Sequence, residues 1–402
     1  MSSSPERGVH VSNRDAVTNG VVAWLFAVTG PIAILLSVAL AAGLDRQLIN
    51  SWIFASLVVS GVLSVWFSAS RRQPIGLAWT IPGAVLLGPA LVHLSFEEAV
   101  GAFLATGVLL VVVGVTGWAR TVMSYVPMPL VMAMVAGIFL PFGLDVVGAF
   151  DTHAPLAVAM VVVFLVVTAL RRLGRVFPPV LAALVAGIVV VVVLHPGTFA
   201  VETGLEIARP VLVPPTFSAS GLLELVVPLA LTVVAIQNAQ GFAILRTAGY
   251  EPPEDRLTTA CGVGSLVVAP LGAVSVCVTG PVNGILNSSG PEERRWVGGV
   301  VFGVLHVGFG VLAPTATALA LALPGEFIVL LGGLALLPVL TASLVSAFGS
   351  GRFRLGALTT FLVTLSGVTI LRVGAAFWGL VLGLVVSWLC ERDDLAATHA
   401  AA

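Results

Sequence analysis

The sequence predicts an all-α polytopic membrane protein of about 14 transmembrane segments, arranged as two inverted seven-helix repeats with segments 3 and 10 as interrupted half-helices. Three observations carry this. Hydrophobic residues are 58% of the 402 and charged residues 9%, with mean hydropathy +1.10, a balance suited to hydrocarbon surroundings. Apolar runs that can cross about 30 Å of hydrocarbon recur along nearly the whole chain. The stretch Leu77 to Leu87, LAWTIPGAVLL, is echoed 199 residues later by Val276 to Leu286, VCVTGPVNGIL.

Residues 1–19 are polar and are expected to be disordered and cytoplasmic. The apolar run from Gly20 to Gly43 is too long for a signal-peptide core and has no clear cleavage site, so it is expected to remain as the first span. Between charges, the chain offers spans near 20–43, 50–68, 75–92, 98–117, 127–144, 154–170 and 178–195. After a Pro-, Glu- and Thr-rich stretch at 196–221, expected to be an external linker, come 222–246, 257–272, 275–289, 296–314, 326–348, 355–371 and 373–390. Residues 391–402 are expected to form a cytoplasmic tail.

Charge tests this count. With the N-terminus in the cytoplasm, the inside loops hold Arg7, Arg14, Arg71, Arg72, Arg120, Arg171, Arg172, Arg175, Arg246, Arg256, Arg294, Arg295, Arg352, Arg354 and Arg392. The outside loops hold only Arg46, Arg209 and Arg372. This is the asymmetry of the positive-inside rule, and a missed span would scramble every later loop. Both termini are therefore expected in the cytoplasm. The division is 20–195 and 222–390, because an odd number of spans per repeat enters the second repeat upside down.

In each echo a short run of small, branched or aromatic residues meets Thr-x-Pro and then an apolar helix-forming run. Proline suits a first helical turn, where its missing N–H is no loss. Each stretch therefore reads as extended backbone starting a half-helix at mid-membrane, which is tolerated only beside a protein-lined cavity and points to a transporter binding site. Helix N-termini there would face a small anion. The candidate residues are Trp79, Thr80, Pro82 and Gly83 in the first stretch and Thr279, Gly280 and Asn283 in the second.

The eighth span adds Gln237, Asn238 and Gln240 near its centre. Three amides within four residues suggest a substrate site, although Asn and Gln also serve plain interhelical hydrogen bonding, and Asn283 equally suits a local cap. No Asp or Glu lies mid-span; Glu224 and Glu326 sit at span ends as expected interfacial residues. His306, in the eleventh span, is the proton-coupling candidate, with a neutral hydrogen-bonding role as the alternative. Cys261, Cys277 and Cys390 show no metal-ligand spacing. No metal, cofactor or nucleic-acid partner is implied, and no converging nucleophile, base and metal suggests an enzyme.

The blocks SWIFASL, LAWTIPGAVLL, PMPLVMAMVAGIFLPFGLD, QNAQGFAILRTAGYEPP, APLGAVSV and GAAFWGL resemble, in order and spacing, the benzoate transporter family of bacterial inner-membrane proteins. The resemblance runs from about residue 20 to 388 and is most specific at Gln237–Gly241 and Leu245–Tyr250. It implies import of benzoate with protons across the inner membrane. It also implies kinship with uracil and xanthine permeases and with sulfate and bicarbonate carriers. In those relatives spans 1–4 and 8–11 form a transport core. Spans 5–7 and 12–14 form a gate that often dimerises, which implies a homodimer through the gate domain. The chain departs from the family pattern at Val278–Ile285, at Gln240 where a Pro is usual, and at His306 where an aromatic is usual. A more polar pocket would suit a hydroxylated aromatic acid or another small carboxylate.

The expected function is a secondary active transporter of a small, benzoate-like aromatic carboxylate, moved with protons by alternating access of core against gate. The alternatives are a nucleobase permease or a facilitated anion carrier on the same fold. Related permeases hold the base with carboxylates in the eighth and tenth spans, where this chain has amides.

Overall fold

The computed structural model describes residues 13–119, 127–170, 178–194 and 204–400. Of the Arg residues assigned to inside loops, Arg7, Arg120, Arg171, Arg172 and Arg175 lie outside the described residues. Helix α1 (Arg14–Ala41) begins earlier than the polarity of residues 1–19 predicts. Asp15 places a negative charge in its first turn, where the helix dipole favours it. Asn19 is buried and donates to the Ser289 carbonyl at 3.2 Å. Tertiary contact therefore orders residues that composition alone marks as tail.

Helix α2 (Arg46–Arg71) starts at Asp45, whose side chain accepts from the Leu48 N–H. Strand β1 (Leu77–Trp79) then leads into the short helix α3 (Ile81–Ala90). A Ser95–Glu98 capping box opens α4 (Phe96–Thr116). After it come α5 (Met128–Thr152), α6 (Ala154–Ala169) and α7 (Pro179–Leu194). In the expected linker, residues 204–218 carry no regular structure. Ala208, Val213 and Thr216 donate their N–H groups to the carbonyls of Val311, Pro270 and Glu97.

Helix α8 (Ala219–Thr247) widens into π-type turns at Leu222–Val226 and Thr232–Asn238. It is followed by α9 (Glu254–Val268), strand β2 (Val276–Val278) and α10 (Gly280–Leu286). Next, α11 (Trp296–Val311) and α12 (Ala313–Leu321) meet at a 69° bend, so the expected span 296–314 stops at the bend and a second helix follows. Helices α13 (Gly325–Phe348), α14 (Arg354–Ser366), α15 (Ala375–Cys390) and α16 (Arg392–Ala400) complete the chain. Among the described residues, α1, α2, α4, α5, α8 and α13 are each long and apolar enough to cross a membrane, and α11 with α12 makes a seventh span if counted as one. Helices α3, α6, α7, α14 and α15 are apolar but have 10–17 residues. The chain is thus a mostly helical, multi-pass membrane protein.

The two echoed stretches meet. Strands β1 and β2 pair antiparallel, with Leu77 opposite Val278, Ala78 opposite Cys277 and Trp79 opposite Val276. A two-stranded ribbon leaves both outer edges unpaired, which hydrocarbon does not tolerate. Side chains close those edges. Ser64 and Ser68, one turn apart on α2, accept from the N–H groups of Leu77 (2.9 Å) and Ile75 (3.1 Å). On the other strand, Ser265 accepts from Val276 (3.0 Å) and Asn238 from Val278 (2.8 Å).

Packing sorts the helices. One group holds α2 against α11, α4 against α9 and α1 against α11, with the β ribbon inside it; a second holds α5 against α13 and α14, and α14 against α15. Helix α6 packs on α7, and α1 also lies along α13, joining the groups.

Candidate transport site

A cavity of about 530 Å³ lies where the two groups face each other. From the first group it takes Ile81 and Pro82 at the start of α3, the Ala235–Gln240 stretch of α8, and Thr279 and Pro281 at the start of α10. From the second it takes Met128, Met132 and Val135 of α5 and the Pro338–Ser346 stretch of α13. The wall is mainly apolar. Its side-chain polar groups are those of Gln237, Gln240, Thr279, Ser343 and Ser346, and among the described residues none that lines it is charged.

The local fold explains how these groups arrive. The wide turn at Thr232–Asn238 distorts α8 at its amides, a distortion common at functional positions. Gln237 is 6% exposed, and its Oε1 has no hydrogen-bond partner. A buried acceptor left open costs free energy, so the side chain is poised for a ligand or water. Gln240 is exposed at the cavity and rests on Gly280, where any Cβ would collide with its carboxamide. At the start of α3, Thr80 accepts from the Gly83 N–H (3.2 Å) and donates to Thr232 (2.9 Å), which caps the helix and docks it on α8. The N-terminal end of α3, with its partial positive charge, thus lies at the cavity wall beside Ile81 and Pro82.

Of the residues singled out in the sequence, Pro82, Gln237, Gln240 and Thr279 line this cavity. Thr80, Gly83 and Gly280 stand one layer behind it. Gly83 allows close packing, since a Cβ there would strike Thr80 and Leu229. Asn238 turns away to close the β2 edge, with its Nδ2 toward Thr258 at 3.5 Å. Asn283 also turns away, accepting from the Gly76 N–H (2.9 Å) and donating to the carbonyls of Gly76 (3.1 Å) and Thr279 (2.7 Å). These two amides satisfy strand backbone, a need that pairing creates and that the sequence does not display.

Trp79 and His306 also lie away from the cavity. Trp79 is 2% exposed, and its ring is 6.2 Å from the His306 ring, which stacks 4.4 Å from Phe302. His306 is fully buried between α11 and its neighbours, and neither ring nitrogen has a hydrogen-bond partner. Sequence reasoning missed the second wall. Met128, Met132 and Val135 follow a helical i, i+4, i+7 spacing, and Ser343 and Ser346 are i, i+3, patterns identical to ordinary packing faces. It also misjudged Glu224, expected at the interface: the side chain is buried and hydrogen-bonded to His93 at 2.8 Å.

A family profile described as benzoate membrane transport protein matches residues 10–389. The chain belongs to the benzoate membrane transport protein family. Within it, the chain is 34% identical over 383 residues to the inner membrane protein YdcO of Escherichia coli K12, covering 93% of this chain and 96% of that protein. It is 29% identical over 380 residues to the benzoate membrane transport protein of Acinetobacter baylyi ADP1, covering 93% and 94%. Among solved structures, SLC26A9 matches with TM-score 0.62 at 13% identity over 94% of this chain, which spans 64% of that larger protein. The transmembrane domain of the cyanobacterial bicarbonate transporter BicA matches with TM-score 0.56 at 14% identity over 93% and 97% of the two chains. At such identities the likeness is one of fold. Family membership makes the protein a membrane transporter rather than an enzyme.

Proposed function

We propose that the protein is a secondary active transporter that imports a small aromatic carboxylate, benzoate-like, together with protons. The observation that carries this reading is the cavity of about 530 Å³ between the two helix groups, a volume within the range of small-molecule sites, in a chain of the benzoate membrane transport family. Its apolar walls suit an aromatic ring. Gln237, Gln240 and Thr279 would donate to the carboxylate, and the α3 N-terminus would favour its charge.

Transport would follow by alternating access. The core is α1–α4 with α8–α11, and the gate is α5–α7 with α13–α15, corresponding to spans 1–4, 8–11, 5–7 and 12–14 of an inverted fourteen-segment repeat. Antiparallel pairing of the two echoed stretches supports that symmetry. The cavity uses the first turns of α5 and the last turns of α13, which adjoin the Arg-rich loops. By the positive-inside rule that end, and both termini, are cytoplasmic, so the conformation is inward-facing. Two copies would pair through the gate.

The test is uptake of labelled benzoate into proteoliposomes containing the purified protein, with and without an inward proton gradient, with hydroxylated benzoates and uracil as competitors. Gradient-driven accumulation, blocked by aromatic acids and not by uracil, is the expected result. Uptake indifferent to the gradient would instead make it a facilitated carrier, a reading favoured by the uncharged cavity wall. Competition by uracil alone would make it a nucleobase permease.

A further inference from the structure

A second, smaller cavity of about 110 Å³ lies along the same seam, displaced on the same helices. The large cavity uses Ile81 and Pro82 of α3, Met128 to Val135 of α5 and Ala235 to Gln240 of α8. The small one uses Leu86 and Pro89 of α3, Gly137 to Pro141 of α5 and Glu224 of α8. Its remaining wall comes from the end of α14 and the start of α15. An offset of 10 or more residues along α8 is about 15–20 Å. The small cavity therefore marks the opposite, narrower end of the seam.

Among the described residues, Glu224 is the one titratable group on the wall of either cavity. It is 4% exposed. Its carboxylate meets His93, just past α3, through Nε2 at 2.8 Å, and that ring is partly open to solvent, 21% exposed. Across the seam its Oε1 lies against the backbone of Gly374, immediately before α15. Any Cβ at Gly374 would collide with Glu224 Oε1. A buried carboxylate that touches a group on each side of an interface joins those sides more strongly while it carries its charge. The elements packed around it also carry Glu97 and Glu98 at the start of α4 and Arg372 in the turn before α15, with Arg372 acting on Glu98.

We propose that His93 and Glu224 form a proton-operated latch that closes this end of the transport seam against Gly374. A proton from the solvent on that side binds Nδ1 of His93, the ring nitrogen that does not face Glu224. The ring releases its Nε2 proton to Glu224 Oε2, forming an O–H bond and leaving a neutral acid. An imidazole can relay in this way because its two nitrogens accept and donate in turn. The neutral acid holds the Gly374 backbone less strongly than the carboxylate does, and the seam is released to open. The latch rests on the alternating-access reading above, and supplies a proton-sensitive element that the uncharged large cavity lacks.

The test is accessibility of the small cavity in the full chain reconstituted in liposomes. A single cysteine is placed at Ala376 in a Cys390→Ser background, since the other two cysteines are buried. Labelling by a membrane-impermeant maleimide is compared between outer pH of about 5.5 and about 7.5, as the fraction labelled after each preparation is normalised to a solvent-exposed control cysteine on the same side. We expect normalised labelling to rise at least about fivefold at the acid end. Glu224→Gln, a neutral isostere, should give high labelling at both pH values, and Gly374→Ala should raise labelling at the neutral end. Normalised labelling that does not respond to pH, or a response kept in Glu224→Gln, would overturn the latch. Benzoate uptake is measured on the same liposomes. A pH-dependent cavity without benzoate uptake refutes the cargo and keeps the latch, whereas gradient-driven uptake with pH-independent labelling does the reverse.

Discussion

Replacing Asn283 with Ala tests whether the crossing of the two extended stretches depends on one amide. Asn283 is fully buried. Its Nδ2 serves two carbonyls that keep other partners, because Gly76 O still receives the Thr279 N–H (3.2 Å) and Thr279 O still receives the Asn283 N–H (3.2 Å). Its Oδ1 is different, being the acceptor for the Gly76 N–H. Removing it strands a buried donor at the entry to β1, at a cost of about 1–3 kcal/mol, to which loss of the other bonds adds a few tenths. With about 1–3 kcal/mol lost locally, protection of the Gly76–Thr80 amides in native-state hydrogen exchange should fall roughly 5- to 150-fold. Asn287→Ala is the control: that side chain is half-buried and donates to one carbonyl, Asn283 O at 2.7 Å, so it should change protection by less than about threefold. Unaltered protection at Gly76–Thr80 in Asn283→Ala would refute the reasoning.

Three further outcomes are expected. Gly280→Ala should leave thermal stability nearly unchanged, because the added Cβ meets the free end of an exposed side chain. It should nevertheless displace Gln240 and raise the KM for benzoate uptake roughly two- to tenfold, the equivalent of one hydrogen bond of about 0.5–1.5 kcal/mol; an unchanged KM would remove Gln240 from the site. His306→Phe should fold at least as well as the parent, since it deletes two buried nitrogens without partners. It should also keep gradient-driven uptake within about twofold, and loss of the gradient effect would return His306 to the coupling path. Mass spectrometry after maleimide treatment of the folded protein in detergent should find one adduct, on Cys390, with Cys261 and Cys277 shielded; labelling of all three before unfolding would contradict the packing around β2.

The sequence by itself determined the environment and the segment order. Hydrocarbon demands long apolar runs, so composition and spacing revealed nearly every helix, and the Thr-x-Pro echoes marked the two places where the backbone leaves helical form. Family-specific runs such as Gln237–Gly241 revealed the kinship. Tertiary structure alone decided which polar groups face the cavity. Gln237 and Asn238 are neighbours of the same chemistry, yet one lies at the cavity and the other satisfies Val278. That choice depends on which strand edge lies within reach, and on the rotation imposed by a π-type turn. The same applies to Asn283, whose partner Gly76 is 207 positions away, and to Glu224, which looks interfacial along the chain and is buried because His93 and Gly374 close over it. A membrane span leaves few places where backbone lacks an internal partner, and side chains are drawn to those places first. Which of them remain for a substrate is settled only when the two halves of the chain meet.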